Sequence, residues 1–380
     1  MSAEHKPISE QPQPPESYSP KGKPAILSMA AYMQGMNYPD KKLIEGMASI
    51  KTQDPAVQEN FHFCACMRSC MQYLCKDPSY DFIFFAGLTG ALFFNIWDKK
   101  EPWTYMESVT GGRFPENNRA IELAFHAVGY ACEIIDDVQG IQQNKDHYIQ
   151  KIIASINEGY PVFTYGIVGP PTCSMITGYE KNGQILLGWS AFQEDDSQYF
   201  SKEAGLDEST KLVFFTRKTY EIDRNEQAVS ALKQIASVSS MRQTEQFAYG
   251  ADAYTEWANA LLRDEDFTAD CTEYLDQVTD AHCGQKNIVM TGREYGAAFL
   301  SRLLPYVPQY KEQIEKACAL CNAEKEILSR FWQLEPGFFF DSKQLLNPEY
   351  RRQQADIILA ARDVFVQMTE VLNRLDCIGG

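Results

Sequence analysis

The chain has 380 residues, of which 44% are hydrophobic and 23% charged, a composition typical of globular proteins and unlike disordered or fibrous chains. Its length favours two domains, and 51 acidic against 35 basic side chains give a formal charge of −16. Because so acidic a surface repels phosphate backbones and anionic lipids, the composition argues against nucleic acid and membranes as partners.

The first 25 residues are rich in proline and contain no apolar stretch that would serve as a secretory signal. We expect residues 1–25 to be a disordered leader. Without an export signal, the 11 cysteines are predicted to be reduced thiols in a cytoplasmic protein. The longest apolar stretch, Ile83–Trp97, is shorter than a membrane span, so no transmembrane helix is expected.

Residues 26–222 alternate between helical and strand-like patterns. Helices are predicted over Asn117–Val128 and around Ile149–Ile156, where isoleucines repeat along one helical face before Gly159. Asn182 and Gly183 favour a tight hairpin turn. The predicted strands are Tyr130–Ile135, Pro161–Tyr165, Ser174–Tyr179, Ile185–Trp189 and Leu212–Thr216. This order predicts an α+β domain with an antiparallel sheet.

Strand signals nearly vanish from Asp223 onward. Asn347 is suited to cap a helix and Pro348 to open its first turn, which predicts a long final helix. A second long helix is predicted over roughly Tyr310–Trp332. We therefore expect residues 223–380 to form an all-α domain.

Three segments of the first half share an order and spacing with a known family: Cys66–Leu74, Ile156–Val162, and Gly169–Glu180 followed by Gly188–Ser190. Together they resemble the N-terminal domain of the butirosin-biosynthesis-H type, which is related to bacteriocin-processing cysteine peptidases with a papain-like fold. The resemblance covers roughly residues 40–220. The tail around Gly250–Trp257 resembles the helical domain often attached to such a domain.

The resemblance implies that a cysteine opens a buried helix and that a histidine on a facing strand activates it. Cys66 matches the cysteine, but Thr172 stands where the histidine is expected, followed by Cys173. The orienting acid would fall near Gly188, Trp189 or Ser190, and none of these is a carboxylate. The nucleophile of the family pattern is therefore present without its base and orienting acid.

Two interpretations of Cys66 remain open. A thiol at a helix N-terminus has a lowered pKa and is reactive, with His62 as its nearest upstream base and Asn60 as a donor to an oxyanion. Alternatively, Cys66 and Cys70 are small hydrophobic side chains on one buried helical face. Side chains of a strand alternate between its two faces, so if Thr172 faces Cys66, Cys173 points away from it. If the strand register is shifted by one residue, Cys173 faces Cys66 and Thr172 points away.

Three functions follow from these patterns. The first is a small-molecule-binding protein on a catalytically degenerate papain-like scaffold. The second is an acyltransferase or amidase with Cys66 as nucleophile, His62 as base and an acyl donor as substrate. The third is an interaction module that uses the helical tail. The residues predicted to line the ligand site are Asn60, Thr172, Cys173, Trp189 and Ser190. No cofactor is expected, and the cysteines lack the paired spacing of a structural zinc site.

Overall fold

The structure, a computed structural model, describes residues 38–51, 58–104, 108–111, 114, 116–203, 205–218, 222–267, 272–334 and 341–375. The leader predicted over residues 1–25 lies outside the described residues. The described residues from Pro39 onward belong to one compact unit.

Within these ranges, most strands fall in the first half of the chain. They are β1 (Lys42–Leu43), β2 (Ile96–Asp98), β3 (Tyr130–Ile135), β4 (Val162–Tyr165), β5 (Cys173–Glu180), β6 (Ile185–Trp189), β7 (Phe200–Glu203), β8 (Lys211–Lys218) and β9 (Phe247–Tyr249). All five predicted strands are present, with ends shifted by no more than two residues.

The main sheet is antiparallel throughout, in the order β3–β8–β4–β5–β6–β7. Strand β1 pairs with the far end of β5, beyond the residues that pair with β4. The predicted hairpin joins β5 to β6, and Lys181, Asn182 and Gly183 all have positive φ angles there. The α+β class with an antiparallel sheet is confirmed.

The helices are α1 (His62–Cys75), α2 (Phe82–Leu88), α3 (Asn117–Ala127), α4 (Val138–Gln143), α5 (Lys145–Asn157), α6 (Arg224–Ser239), α7 (Gly250–Leu261), α8 (Thr272–Leu303), α9 (Lys311–Leu328), α10 (Phe331–Leu334) and α11 (Pro348–Asn373). As predicted, Asn347 caps α11 by accepting from the Glu349 N–H at 3.0 Å, and Pro348 opens its first turn. The predicted helix over Tyr310–Trp332 is divided into α9 and α10.

The two faces of the sheet carry different helices. Phe163 on β4 lies against Phe63 of α1 and Phe125 of α3, with ring centroids 5.9 and 5.8 Å apart. Phe214 pairs with the neighbouring residue of β4 and so belongs to the opposite face. There the ammonium of Lys151 on α5 lies 4.5 Å from the centroid of its ring. The sheet is therefore enclosed by α1 and α3 on one side and by α5 on the other.

Helix α8, 32 residues long, links the two halves of the chain. Its Tyr295 packs edge-on against Phe82 of α2 at 5.8 Å, and its Gln285 donates to the Ile96 carbonyl at 3.1 Å. Strands β2 and β9 add a small antiparallel ladder between the halves. These contacts cross the predicted boundary after residue 222, and whether residues 223–380 form a domain of their own stays a prediction.

Among the described residues, no helix is both long enough and apolar enough to span a membrane.

Candidate functional site

Cys66 lies inside α1 and not at its start. The helix begins at His62, and the Ala65 N–H already bonds to the Phe61 carbonyl at 3.1 Å. The N–H groups that lack an acceptor within a helix belong to its first turn, so the Cys66 amide is not one of them. The Cys66 side chain has no exposed surface, and its Sγ lies 3.9 Å from the Cys173 carbonyl oxygen. The helix thus begins four residues earlier than the resemblance implies.

The sheet register decides which side of β5 faces α1. Cys173 pairs with Tyr165, and Met175 pairs with Phe163, whose ring contacts Phe63 of α1. Because side chains alternate along a strand, Cys173 belongs to the face that α1 covers and Thr172 to the other. The register in which Thr172 faces Cys66 is therefore wrong. The structure has the register shifted by one residue, in which Cys173 is on the side of α1.

Thr172 is buried, and its hydroxyl has no hydrogen-bond partner among the described residues. A threonine hydroxyl is far too weakly basic to take a proton from a thiol. The strand therefore provides no base at the position where the family pattern has histidine.

His62 occupies the first position of α1, four residues before Cys66, on the same side of the helix. Its ring makes an edge-on contact with Phe192, with centroids 5.4 Å apart. Phe192 in turn lies against Gly169, where a Cβ would come within 2.7 Å of the Phe192 Cβ. Phe192 is 43% exposed, so an aromatic side chain at the surface lies against this histidine, which is itself partly exposed.

Trp189 and Ser190 shape the turn after β6. The Trp189 ring packs on Tyr199 with centroids 4.5 Å apart, and its indole N–H has no acceptor among the described residues. The Ser190 N–H donates to the Gln193 Oε1 at 2.9 Å, and the Ser190 hydroxyl accepts from the Phe192 N–H at 3.2 Å. Ser190 thus positions Phe192 over His62.

Asn60 connects the start of α1 to α8. Its side-chain amide donates to the Asn287 Oδ1 at 2.6 Å and to the Thr291 hydroxyl at 2.7 Å. These bonds occupy both amide hydrogens, so the predicted role as an oxyanion donor would require them to break.

Cys64 and Cys70 of α1 are also buried thiols, whereas Cys75 at the end of the helix is partly exposed. Burial, with a contribution from neighbouring Cys66, raises the pKa of Cys70 well above its ordinary value. The Cys64 Sγ lies 3.8 Å from the Thr89 hydroxyl. Such surroundings favour the interpretation of this helical face as packing. Within the described ranges, no group of three or more histidine, cysteine, aspartate or glutamate residues is placed to hold a metal ion.

A pocket of about 340 Å³ opens beside the Asn60 contact, between α8, α9 and the segment before α1. We call it the helical pocket. The residues that line it are Gln58, Met290, Thr291, Glu294, Tyr295, Lys325, Leu328, Ser329 and Trp332.

The helical pocket combines apolar walls with charges of both signs. The Lys325 Nζ lies 2.7 Å from the Glu294 Oε2, and both side chains are about half exposed. Trp332 is 44% exposed, so a large face of its ring remains open to a ligand. Thr291 belongs both to this pocket and to the Asn60 contact, which places the pocket next to the start of α1.

The sequence predictions did not include the residues of the helical pocket. Most of them lie on α8, on α9 and in the residues just after α9, and all are outside the segments that carry the family resemblance. The only available signal was Trp332, a large aromatic side chain at the end of a helix otherwise rich in charge.

Comparison with known proteins does not add an identity. No family model matches the chain, and no curated protein is significantly similar to it.

Proposed function

We propose that this chain is a small-molecule-binding protein on a papain-like scaffold whose cysteine site has lost its base. The observation that carries the proposal is the helical pocket beside the start of α1. Its volume, about 340 Å³, falls within the range of small-molecule sites, roughly 300–1,000 Å³.

The surroundings of Cys66 support binding over catalysis. Its sulfur is buried against a backbone carbonyl, which cannot accept a proton to generate a thiolate. Thr172 cannot replace the missing histidine, and the His62 ring is in contact with Phe192. A papain-like arrangement of helix on sheet would here provide the support for a ligand site.

The lining of the helical pocket defines the type of ligand. Met290, Leu328 and the Trp332 ring offer apolar contacts, whereas Lys325 and Glu294 offer a donor and an acceptor of opposite charge. A small molecule with an apolar, flat portion and polar groups at one edge fits this combination.

Native mass spectrometry of the full chain, incubated with a soluble metabolite extract, tests the proposal. We expect a mass increment that is lost on denaturation and that persists in the Cys66→Ala variant. Ser329→Trp places an indole on an exposed rim position and should abolish the increment. Lys316→Trp, at an exposed position of α9 outside the pocket lining, is the matched control and should retain it.

The acyltransferase hypothesis predicts a different result. His62 lies one helical turn before Cys66, the observation that favours this second function. An acyl-enzyme would appear as an increment that survives denaturation and disappears in Cys66→Ala. No increment with any variant, or one unaffected by Ser329→Trp, contradicts binding in the helical pocket.

A further inference from the structure

A second pocket lies further toward the C-terminal end of α8, where this helix meets α2 and α6. Its volume is about 450 Å³. We call it the arginine pocket; it is lined by Ser79, Asp81, Phe84, Leu88, Arg224, Gln227, Ala228, Ala231, Phe299, Arg302, Leu303, Pro305 and Tyr306. It shares no residue with the helical pocket.

The walls of the arginine pocket are predominantly apolar. Three helices contribute them, with Leu88 from α2, Ala231 from α6, and Phe299 and Leu303 from α8. The two lining alanines on α6 leave space where larger side chains would fill the groove. Tyr306, 42% exposed, adds an aromatic surface at the edge. A ligand that enters would therefore bury an apolar body.

The polar lining has an excess of positive charge. Two arginines, Arg224 and Arg302, face one carboxylate, Asp81, in a chain whose formal charge is −16. The chain as a whole repels anions, but the charged lining residues of this pocket are two cations and one anion. The pocket therefore has the opposite sign of charge from the rest of the chain.

Arg302 is fixed in place but retains donors for a ligand. Its Nη1 contacts both carboxylate oxygens of Asp81, at 2.8 and 2.7 Å. Asp81 is itself held because it caps α2 and accepts from the Phe84 N–H at 2.8 Å. Within the described part of the chain, the Nε and Nη2 groups of Arg302 have no acceptor. A guanidinium held in this way is preorganised to donate from Nε and Nη2 to a second carboxylate.

Arg224 also lines the pocket, and its Nη1 donates to the Gln227 Oε1 at 3.1 Å. Its guanidinium lies 5.4 Å from the centroid of the Tyr80 ring, and its nearest carboxylate oxygen, on Asp77, is 3.8 Å away. At that distance the ion pair is weak in water, so the charge of Arg224 remains available to an incoming anion.

We infer that the arginine pocket binds an amphipathic carboxylate, an apolar chain or ring system that ends in a single carboxylate group. The apolar body lies against the three helices, and the carboxylate accepts from Arg302 with Arg224 nearby. This site is independent of the helical pocket and does not rest on the function proposed above.

Isothermal titration calorimetry of the full chain with dodecanoate, below its micellar concentration, tests the inference. We expect one saturable site. Dodecan-1-ol has the same chain without the charge and should bind roughly tenfold more weakly or worse, the cost of one charge-assisted hydrogen bond. Arg302→Met should weaken dodecanoate binding by a similar factor and leave the affinity for the alcohol unchanged.

Two further variants locate the ligand. Arg352→Met removes an exposed arginine that also pairs with a carboxylate, Glu349 at 2.9 Å, but lies outside the pocket, and it should leave the affinity unchanged. Ser79→Trp, at an exposed position of the lining, should block binding even if Arg302→Met fails to fold. Ser329→Trp, which closes the helical pocket, should have no effect on dodecanoate.

Three results would overturn the inference: no saturable binding of dodecanoate, equal affinity for the alcohol, or full affinity in Ser79→Trp. Loss of dodecanoate binding in Ser329→Trp alone would assign the ligand to the helical pocket and so reject the arginine pocket.

Discussion

Arg293 and Glu324 form an ion pair enclosed between α8 and α9. The Arg293 Nε lies 2.7 Å from the Glu324 Oε2, with 1% and 0% of the side chains exposed. The Tyr254 hydroxyl donates to the other Glu324 oxygen at 2.5 Å, and the Arg293 Nη2 donates to the same hydroxyl at 3.2 Å. Burial raises the pKa of Glu324, although the adjacent arginine opposes this shift. The pair fixes the relative position of three helices.

Removal of one charge of this pair should be costly. Glu324→Gln leaves the Arg293 guanidinium buried without a counter-charge, so we expect the free energy of unfolding to fall by about 3–5 kcal/mol. Urea denaturation followed by circular dichroism measures it. Glu349→Gln, in the exposed pair with Arg352 at 2.9 Å, is the control and should cost less than about 1 kcal/mol. Equal losses in the two variants would contradict this account of the buried pair.

At the scale of elements, Gly87 allows α2 to approach α8. A Cβ built at Gly87 would lie 2.1 Å from the Phe299 Cγ, so any larger side chain must displace that ring. The glycine sits within a helix, where its lack of a side chain would otherwise be unfavourable. Close helix packing therefore outweighs helix propensity at this position.

Gly87→Ala tests that balance. Alanine gains about 1 kcal/mol in helix propensity, but overpacking a core typically costs about 1–3 kcal/mol. We expect a net loss of about 1 kcal/mol in unfolding free energy, measured by urea denaturation. Phe299→Ala removes the ring atoms that meet the new Cβ, so the double variant Gly87→Ala/Phe299→Ala should lose less stability than the sum of the losses in the two single variants. A net gain from Gly87→Ala would show that Phe299 moves aside without cost.

The elements differ in how well the sequence predicts them. The hairpin at Asn182 and the start of α11 at Asn347 each carry a local signal, a positive φ preference and a capping side chain. Helix α8 carries no comparable pattern, because polar side chains share its buried positions with apolar ones: Thr279, His282, Gln285, Lys286 and Arg293 are all buried. Hydrophobic periodicity cannot identify a face whose polar groups are satisfied by partners distant in sequence.

The geometry of the candidate site likewise depends on contacts between residues that are distant in sequence. Motif spacing located Cys66 and Thr172, but the relation between them depends on the pairing of β5 with β4, which a sequence defines only to within a residue. The start of α1 was misplaced because Phe61 offers no capping side chain. The two pockets arise from contacts among α2, α6, α8 and α9, which are far apart in sequence.

At the scale of the whole molecule, the first half depends on α8 for part of its core. Phe82 packs against Tyr295, and the Leu92 carbonyl accepts from the Arg293 guanidinium. A Cβ at Gly292 would lie 2.7 Å from that same carbonyl, so helix and segment are in direct contact. Without α8, apolar side chains of α2 and the segment that follows it would be exposed to water.

We therefore expect the fragment of residues 26–222 to lose its fixed tertiary packing when produced alone. Near-ultraviolet circular dichroism should show weak aromatic signals, and urea should give a broad transition with a smaller m-value per residue than for the full chain. The full chain serves as the control. A fragment with a sharp transition and native-like aromatic signals would instead support an autonomous domain that ends at residue 222.

The two bonds of Asn60 have a consequence for how α8 can move. Asn287 and Thr291 are four residues apart, so the Asn60 amide is hydrogen-bonded to two successive turns on the same face of α8. A shift of α8 by one residue along its helical screw combines a rise of about 1.5 Å with a rotation of about 100°, which would move both acceptors away from Asn60 together. Asn60 therefore fixes the register of α8 relative to the start of α1, because such a shift of α8 would break both hydrogen bonds at once.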